Sequence, residues 1–144
     1  MIDYDQLEKI ASELINTFEI KDPPVPIEIM LQRPKQDMWE EVNIRDLSVG
    51  FIKGGHYSPR MSLARLLARH VIQSDWGDKR GLPLIVKQGK NEDVVKTFAR
   101  MLIMPLHMIL GLNESSRTIL TMSMHFEAPE EDVQLRLTEI GGKL

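Results

Sequence analysis

Two arginines four residues apart, Arg65 and Arg69, are the residues of this chain whose type and spacing most directly suggest chemistry. They lie in residues 61–72, a stretch rich in leucine and alanine that favours a helix. Side chains four residues apart lie on one face of a helix, and two guanidinium groups there can bind a carboxylate, a phosphate or an acidic partner side chain. His70 follows directly and is a third candidate for binding an anion or a partner.

The same residues have simpler interpretations. Both arginines can be solvated, or paired with acids of the chain such as Glu92 and Asp93. His70 is turned about 100° around the helix from Arg69, and no second metal ligand lies one turn away from it. It can therefore be an ordinary surface or hydrogen-bonded histidine. The remaining histidines are dispersed along the chain: His56, His107 and His125.

Helices are expected to position these residues. Apolar residues at three- and four-residue steps predict an amphipathic helix over residues 4–18. A second, short helix over residues 27–31 follows a run of prolines, and the arginine helix begins after Pro59 with Ser62 as its candidate N-cap. Further helices are predicted over residues 91–104, with Asn91 as the candidate N-cap, 117–126 and 129–140.

Two short segments are predicted as strands. Residues 47–52 alternate between apolar and polar side chains and are followed by two glycines. Residues 82–86 are a second candidate, which Pro83 restricts to a sheet edge or the start of a strand. The mixed pattern of residues 33–46 supports no assignment.

Composition excludes several classes of protein. At 144 residues and 42% hydrophobic content, the chain can build one core, so we expect a single domain over residues 1–144. The net charge of -3 has both signs interspersed, which argues against direct binding to nucleic acid. The chain has no cysteine and no apolar run of about 20 residues. We therefore expect a cytoplasmic protein that does not insert into a membrane.

Several large apolar residues have two interpretations. Trp39 and Trp76 can each be core residues or exposed anchors for a partner. The nine methionines can form an adaptable partner-binding surface, although their helical context favours packing in the core.

Longer motifs add a resemblance. Residues 60–64 (RMSLA), residues 98–105 (FARMLIMP) and residues 24–28 (PVPIE) resemble, in order and spacing, the conserved stretches of the ImmA/IrrE family of zinc metallopeptidases. In that family the first stretch leads into the zinc motif HExxH, and the helix that carries the second stretch supplies a glutamate as third ligand. The resemblance implies an α+β, mostly helical fold: a zincin-like core with a small β-sheet of two to three strands packed on a helical bundle.

The family's metal-site positions carry other residues in this chain. By the resemblance, the first histidine falls on Arg65, the catalytic glutamate on Leu66, the second histidine on Arg69 and the third ligand on Val94. Guanidinium groups cannot replace neutral imidazoles as ligands, and leucine cannot act as a general base. We therefore expect no catalytic residue, no metal ligand and no bound zinc.

The leading hypothesis is a catalytically inactive metallopeptidase-like protein that acts by protein binding, as a regulator, antirepressor or sensor related to phage or mobile elements. The resemblance makes a helix-turn-helix regulator the candidate partner. One alternative is a zinc peptidase or other hydrolase with non-standard ligands. Another is a sensor of an anion or small molecule that uses Arg65 and Arg69. The sequence predicts neither the identity of the partner nor the oligomeric state.

Overall fold

The structure is a computed structural model that describes residues 2–46 and 58–143. Within those ranges the chain is mostly helical and contains no strand, and none of its helices is long and apolar enough to cross a membrane. Three short 3-10 turns accompany the α-helices in the described ranges. Numbered in chain order, the α-helices of the described ranges are α1 (Tyr4–Thr17), α2 (Ile27–Gln32), α3 (Pro59–Gln73), α4 (Asp75–Lys79), α5 (Leu82–Val86), α6 (Asn91–Ile103), α7 (Leu106–Leu110), α8 (Ile119–Phe126) and α9 (Glu130–Ile140).

Helix α6 lies at the centre of the fold. It packs against α3, α1 and α9, and its contact with α3 is the most extensive between helices of the described ranges. A helix that is surrounded by others must be apolar on most of its faces. The buried residues of α6 meet this requirement: Val94, Val95, Thr97, Phe98, Ala99, Met101, Leu102 and Ile103.

Helix α1 confirms the predicted amphipathic pattern. Its N-terminus is capped by Asp3, whose Oδ1 accepts a hydrogen bond from the amide of Gln6 at 3.0 Å. The helix ends at Thr17, one residue before the predicted end. The buried apolar residues follow three- and four-residue steps, as expected: Leu7, Ile10, Ala11, Leu14 and Ile15.

The two predicted N-caps are wrong. Helix α3 is capped by Ser58, whose Oγ accepts a hydrogen bond from the amide of Met61 at 3.0 Å, and Pro59 occupies the first turn. Ser62 lies one turn further along and is buried inside the helix. In α6 the cap residue is Lys90, and Asn91 is already helical.

The strand predicted over residues 82–86 is wrong, because these residues form helix α5. Alternation would have buried Leu84 together with Leu82, but Leu84 is 69% exposed and Ile85 is buried instead. Gly81 precedes the helix with φ 78°, a conformation that glycine adopts easily, and Pro83 fits its first turn. The other predicted strand, residues 47–52, lies outside the described residues.

Both tryptophans are core residues. The Trp39 indole nitrogen donates a hydrogen bond to the carbonyl oxygen of Leu31 at 3.3 Å. The guanidinium of Arg80 lies 3.8 Å from the centre of the Trp76 ring. Most of the methionines in the second half of the chain are buried too, and Met124 is a marked exception at 73% exposed.

A buried ion pair joins α1 to α9. Arg136 of α9 is fully buried, and its two terminal nitrogens donate to the two carboxylate oxygens of Glu8 in α1 at 2.5 and 2.7 Å. Its Nε donates to the carbonyl oxygen of Met104, directly after α6, at 3.0 Å. One side chain therefore fixes α9 to both α1 and the end of α6.

Replacing one member of this pair should be costly. Arg136→Met leaves the Glu8 carboxylate buried without its counter-ion, so we expect the free energy of unfolding to fall by about 3 to 5 kcal/mol in urea denaturation. The double variant Glu8→Leu, Arg136→Met removes both charges and should recover most of that loss. A loss below about 1 kcal/mol for Arg136→Met would contradict the role assigned to the pair.

Candidate functional site

A cleft of mixed charge opens where α3, α6 and α9 meet. Its volume is about 180 Å³. Cationic side chains reach it from α3 and α6, and carboxylates reach it from the first turn of α9. The residues that line it are Ser58, Arg65, Lys96, Arg100, Pro129, Glu131, Asp132 and Leu135.

The two cations from α6 lie on one face because they are four residues apart. Lys96 and Arg100 are both half-buried. Arg100 is held in place, because its Nε donates to Glu139 at 2.7 Å and a terminal nitrogen donates to the Thr97 hydroxyl at 3.3 Å. Arg65 faces this pair from α3.

The buried ion pair also sets the position of Asp132. Asp132 lies four residues before Arg136, on the same face of α9, so the contacts that bury Arg136 also turn Asp132 inward. Burial raises the pKa of the Asp132 carboxyl above its ordinary value of 3.8. Arg100 and Arg65 act in the opposite direction, and Glu131 adds to the increase. The carboxylate of Asp132 is therefore held in an environment that disfavours its charge.

A second, larger cavity adjoins the cleft. Its volume is about 380 Å³, and Arg100 and Leu135 line both spaces. Much of its surface is apolar, and its wall also contains polar side chains, of which Glu8 and Thr97 are buried. Its other lining residues are Tyr4, Glu8, Thr97, Met101, Thr138, Glu139 and Lys143.

The structure separates the three candidate binding residues of the sequence. Arg65 lines the cleft, whereas Arg69 pairs with Glu92, whose two carboxylate oxygens each lie 3.1 Å from one guanidinium nitrogen. Of the interpretations that the sequence allows for Arg69, the structure therefore shows pairing with an acid of the chain. His70 lines another cavity with Trp39, and their ring centres are 6.5 Å apart. Burial lowers the pKa of His70.

The other two positions implied by the resemblance belong to the apolar interior. Val94 is fully buried in α6, and Leu66 is partly buried against the core. Glu92, which binds Arg69, lies two residues before Val94 in the first turn of α6. Arg65 shares the cleft with Lys96 and Arg100, further along α6 than Glu92. Positions 65 and 69 of α3 therefore face α6 at successive levels, and the two helices run antiparallel.

Arg60, the first residue of the RMSLA motif, connects three segments. Its Nε donates to the carbonyl oxygen of Phe126 at 3.2 Å, and a terminal nitrogen donates to that of Val25 at 2.9 Å. This places the beginning of α3 against the end of α8 and the segment before α2. The side chain thus has a structural role, because it joins the beginning of α3 to two other segments.

No group of three or more histidine, aspartate and glutamate side chains that could hold a metal ion is found in residues 2–46 and 58–143. The described histidines have separate surroundings. His107 Nδ1 lies 3.2 Å from the Ser12 hydroxyl, and the His125 ring packs edge-on against Phe126. His56 lies outside the described residues.

Sequence reasoning missed most of the cleft. Lys96, Arg100 and Asp132 were not candidate site residues, although the four-residue spacing of the first two was a visible sign of a cationic helix face. Asp132 is one of three acids that follow Pro129, and in the sequence this pattern indicates only a favourable helix start. Its approach to Arg65 and Arg100 depends on tertiary packing.

Comparison of the chain with protein-family models, with curated proteins and with solved structures finds no match.

The raised pKa of Asp132 predicts how stability depends on pH. In the folded protein this carboxyl binds its proton more tightly than in the unfolded chain, so its contribution to stability falls as pH rises from about 3.8 through the folded pKa. Asp132→Asn does not titrate. We therefore expect the stability of Asp132→Asn relative to the native chain to increase over that range and then level off, as measured by urea denaturation at a series of pH values.

Asp93→Asn, which removes one exposed carboxyl outside the cleft, corrects for the change in net charge. A relative stability of Asp132→Asn that decreases over the same pH range would show that the cleft stabilises the charged form of Asp132.

Proposed function

We propose that this protein is a catalytically inactive relative of the ImmA/IrrE metallopeptidases, a cytoplasmic regulator that works by binding another protein. We also propose that its fold is a zincin-like core with a small β-sheet packed on the helices. The observation that carries it is the antiparallel α3–α6 pair, the frame on which the family builds its zinc site. In this chain the guanidinium group of Arg69 donates a hydrogen bond to Glu92, and Val94 is fully buried.

Chemistry at these positions supports binding over hydrolysis. Zinc requires neutral imidazole or anionic ligands, and an arginine side chain is cationic at any working pH. An apolar side chain at position 66 cannot activate water. What remains beside Arg65 is a cleft with charges of both signs, which can recognise a ligand without cutting it.

Exposed apolar side chains on α8 support a protein partner. Ile119, Leu120 and Met124 are 37%, 62% and 73% exposed, and Leu120 and Met124 lie four residues apart on one face of the helix. Neighbouring apolar side chains in water are typical of surfaces that a partner covers. The resemblance makes a helix-turn-helix regulator the partner that we propose.

Co-expression with the helix-turn-helix regulator encoded nearest to its gene tests this function. We expect a stable complex on size exclusion, a regulator of unchanged intact mass and no stoichiometric zinc by elemental analysis. Leu120→Glu, Met124→Glu should weaken the complex roughly tenfold or more, since two apolar contacts of about 1 kcal/mol or more each are lost.

Leu84→Glu is the matched control, because Leu84 is equally exposed but lies on α5. It should leave the complex unchanged. A cleaved regulator together with bound zinc would establish the peptidase alternative. Absence of a complex would contradict the proposed partner class.

A further inference from the structure

We propose that the cleft between α3, α6 and α9 and the cavity beside it bind a free amino acid with an apolar side chain. The proposed ligand carries an ammonium group and a carboxylate on one carbon atom. This inference does not depend on the family resemblance, because it rests on the charges, burial and shape of residues that the structure describes.

The charges of the cleft are divided between its walls. Arg65 from α3 supplies positive charge together with Lys96 and Arg100 from α6. Glu131 and Asp132 supply negative charge from α9. A simple anion would meet the two carboxylates, and a simple cation would meet the three cations. A zwitterion complements both walls, with its carboxylate toward Lys96 and its ammonium toward Asp132 and Glu131.

The neighbouring cavity accounts for the side chain of the ligand. Leu135 stands between the two spaces, and Tyr4 and Met101 line the larger one. Binding sites for small molecules commonly combine an apolar pocket of about 300 to 1,000 Å³ with a few polar groups that fix orientation. A leucine or methionine side chain that passes Leu135 would enter a space of about 380 Å³.

Arg100 is held at the junction in a fixed geometry. Glu139 and Thr97 bind it from the side of the larger cavity, so its guanidinium does not need to be ordered when a ligand arrives. A group that is ordered before binding costs less free energy on association. Asp132 is likewise held in place by the helix that Arg136 anchors.

Calorimetric titration of the full chain with L-leucine and L-methionine tests the proposal. We expect both to bind, and glycine to bind at least about tenfold more weakly because it leaves the larger cavity empty. L-leucine amide lacks the carboxylate, and N-acetyl-L-leucine lacks the ammonium group. Each should also bind at least about tenfold more weakly than leucine, since each loses one charge-assisted contact.

Substitutions of cleft residues test whether leucine binds in this cleft. Asp132→Asn and Lys96→Gln should each weaken leucine binding roughly tenfold or more, with circular dichroism confirming that the helices are intact. Asp93→Asn removes an acid of α6 outside the cleft and should leave binding unchanged. Glu131→Gln, at the exposed rim, provides a second substitution of the acidic wall.

Several results would overturn the proposal. Binding of the amide as tight as that of leucine would indicate a site for peptide N-termini, and equal binding of the N-acetyl compound would indicate a site for carboxylates alone. Inorganic phosphate that competes with leucine while Asp132→Asn has no effect would indicate a simple anion site. No heat and no thermal shift at 10 mM leucine, an excess over any roughly millimolar Kd, would exclude the ligand class.

Discussion

The buried pair of Glu8 and Arg136 is the interaction on which the arrangement of helices depends. Its two charges come from the first and last α-helices of the described ranges, and Arg136 also binds the carbonyl oxygen that follows α6. Two charges inside a protein are tolerated only when each has a partner and good geometry. This requirement permits one register of α9 against α1 and α6, and that register places Asp132 in the cleft.

The environment of Asp132 in the cleft differs from that of the Glu8–Arg136 ion pair. Glu8 and Arg136 neutralise each other at hydrogen-bond distance, whereas Asp132 occupies an environment that raises its pKa. A carboxylate that the fold disfavours is a feature of binding and catalytic sites more often than of structural ones. The same helix thus carries one charged residue that stabilises the fold and, one turn earlier, a carboxyl whose charged form the fold disfavours.

Helix α1 could be predicted from sequence because its apolar stripe is long and regular, and α3, α6, α8 and α9 were predicted to within a few residues at either end. The five residues of α5 could not, because a short apolar run fits a strand or a helix and only the burial of Leu82 and Ile85 decides between them. The Arg69–Glu92 pair was among the alternatives that the sequence allowed. The cleft was not predictable, since α3, α6 and α9 contribute residues that are distant in sequence.

We propose that α3 and α6 retain the frame of a zinc site without its ligands. The most direct measurement is the zinc content of a variant in which that site is rebuilt, Arg65→His, Arg69→His, Val94→Glu. We expect one zinc ion per chain and a higher melting temperature with zinc. A control with Val95→Glu in place of Val94→Glu turns the third ligand about 100° around α6 and should bind none. Equal zinc in both variants, or none in the first, would show that α3 and α6 do not form this frame.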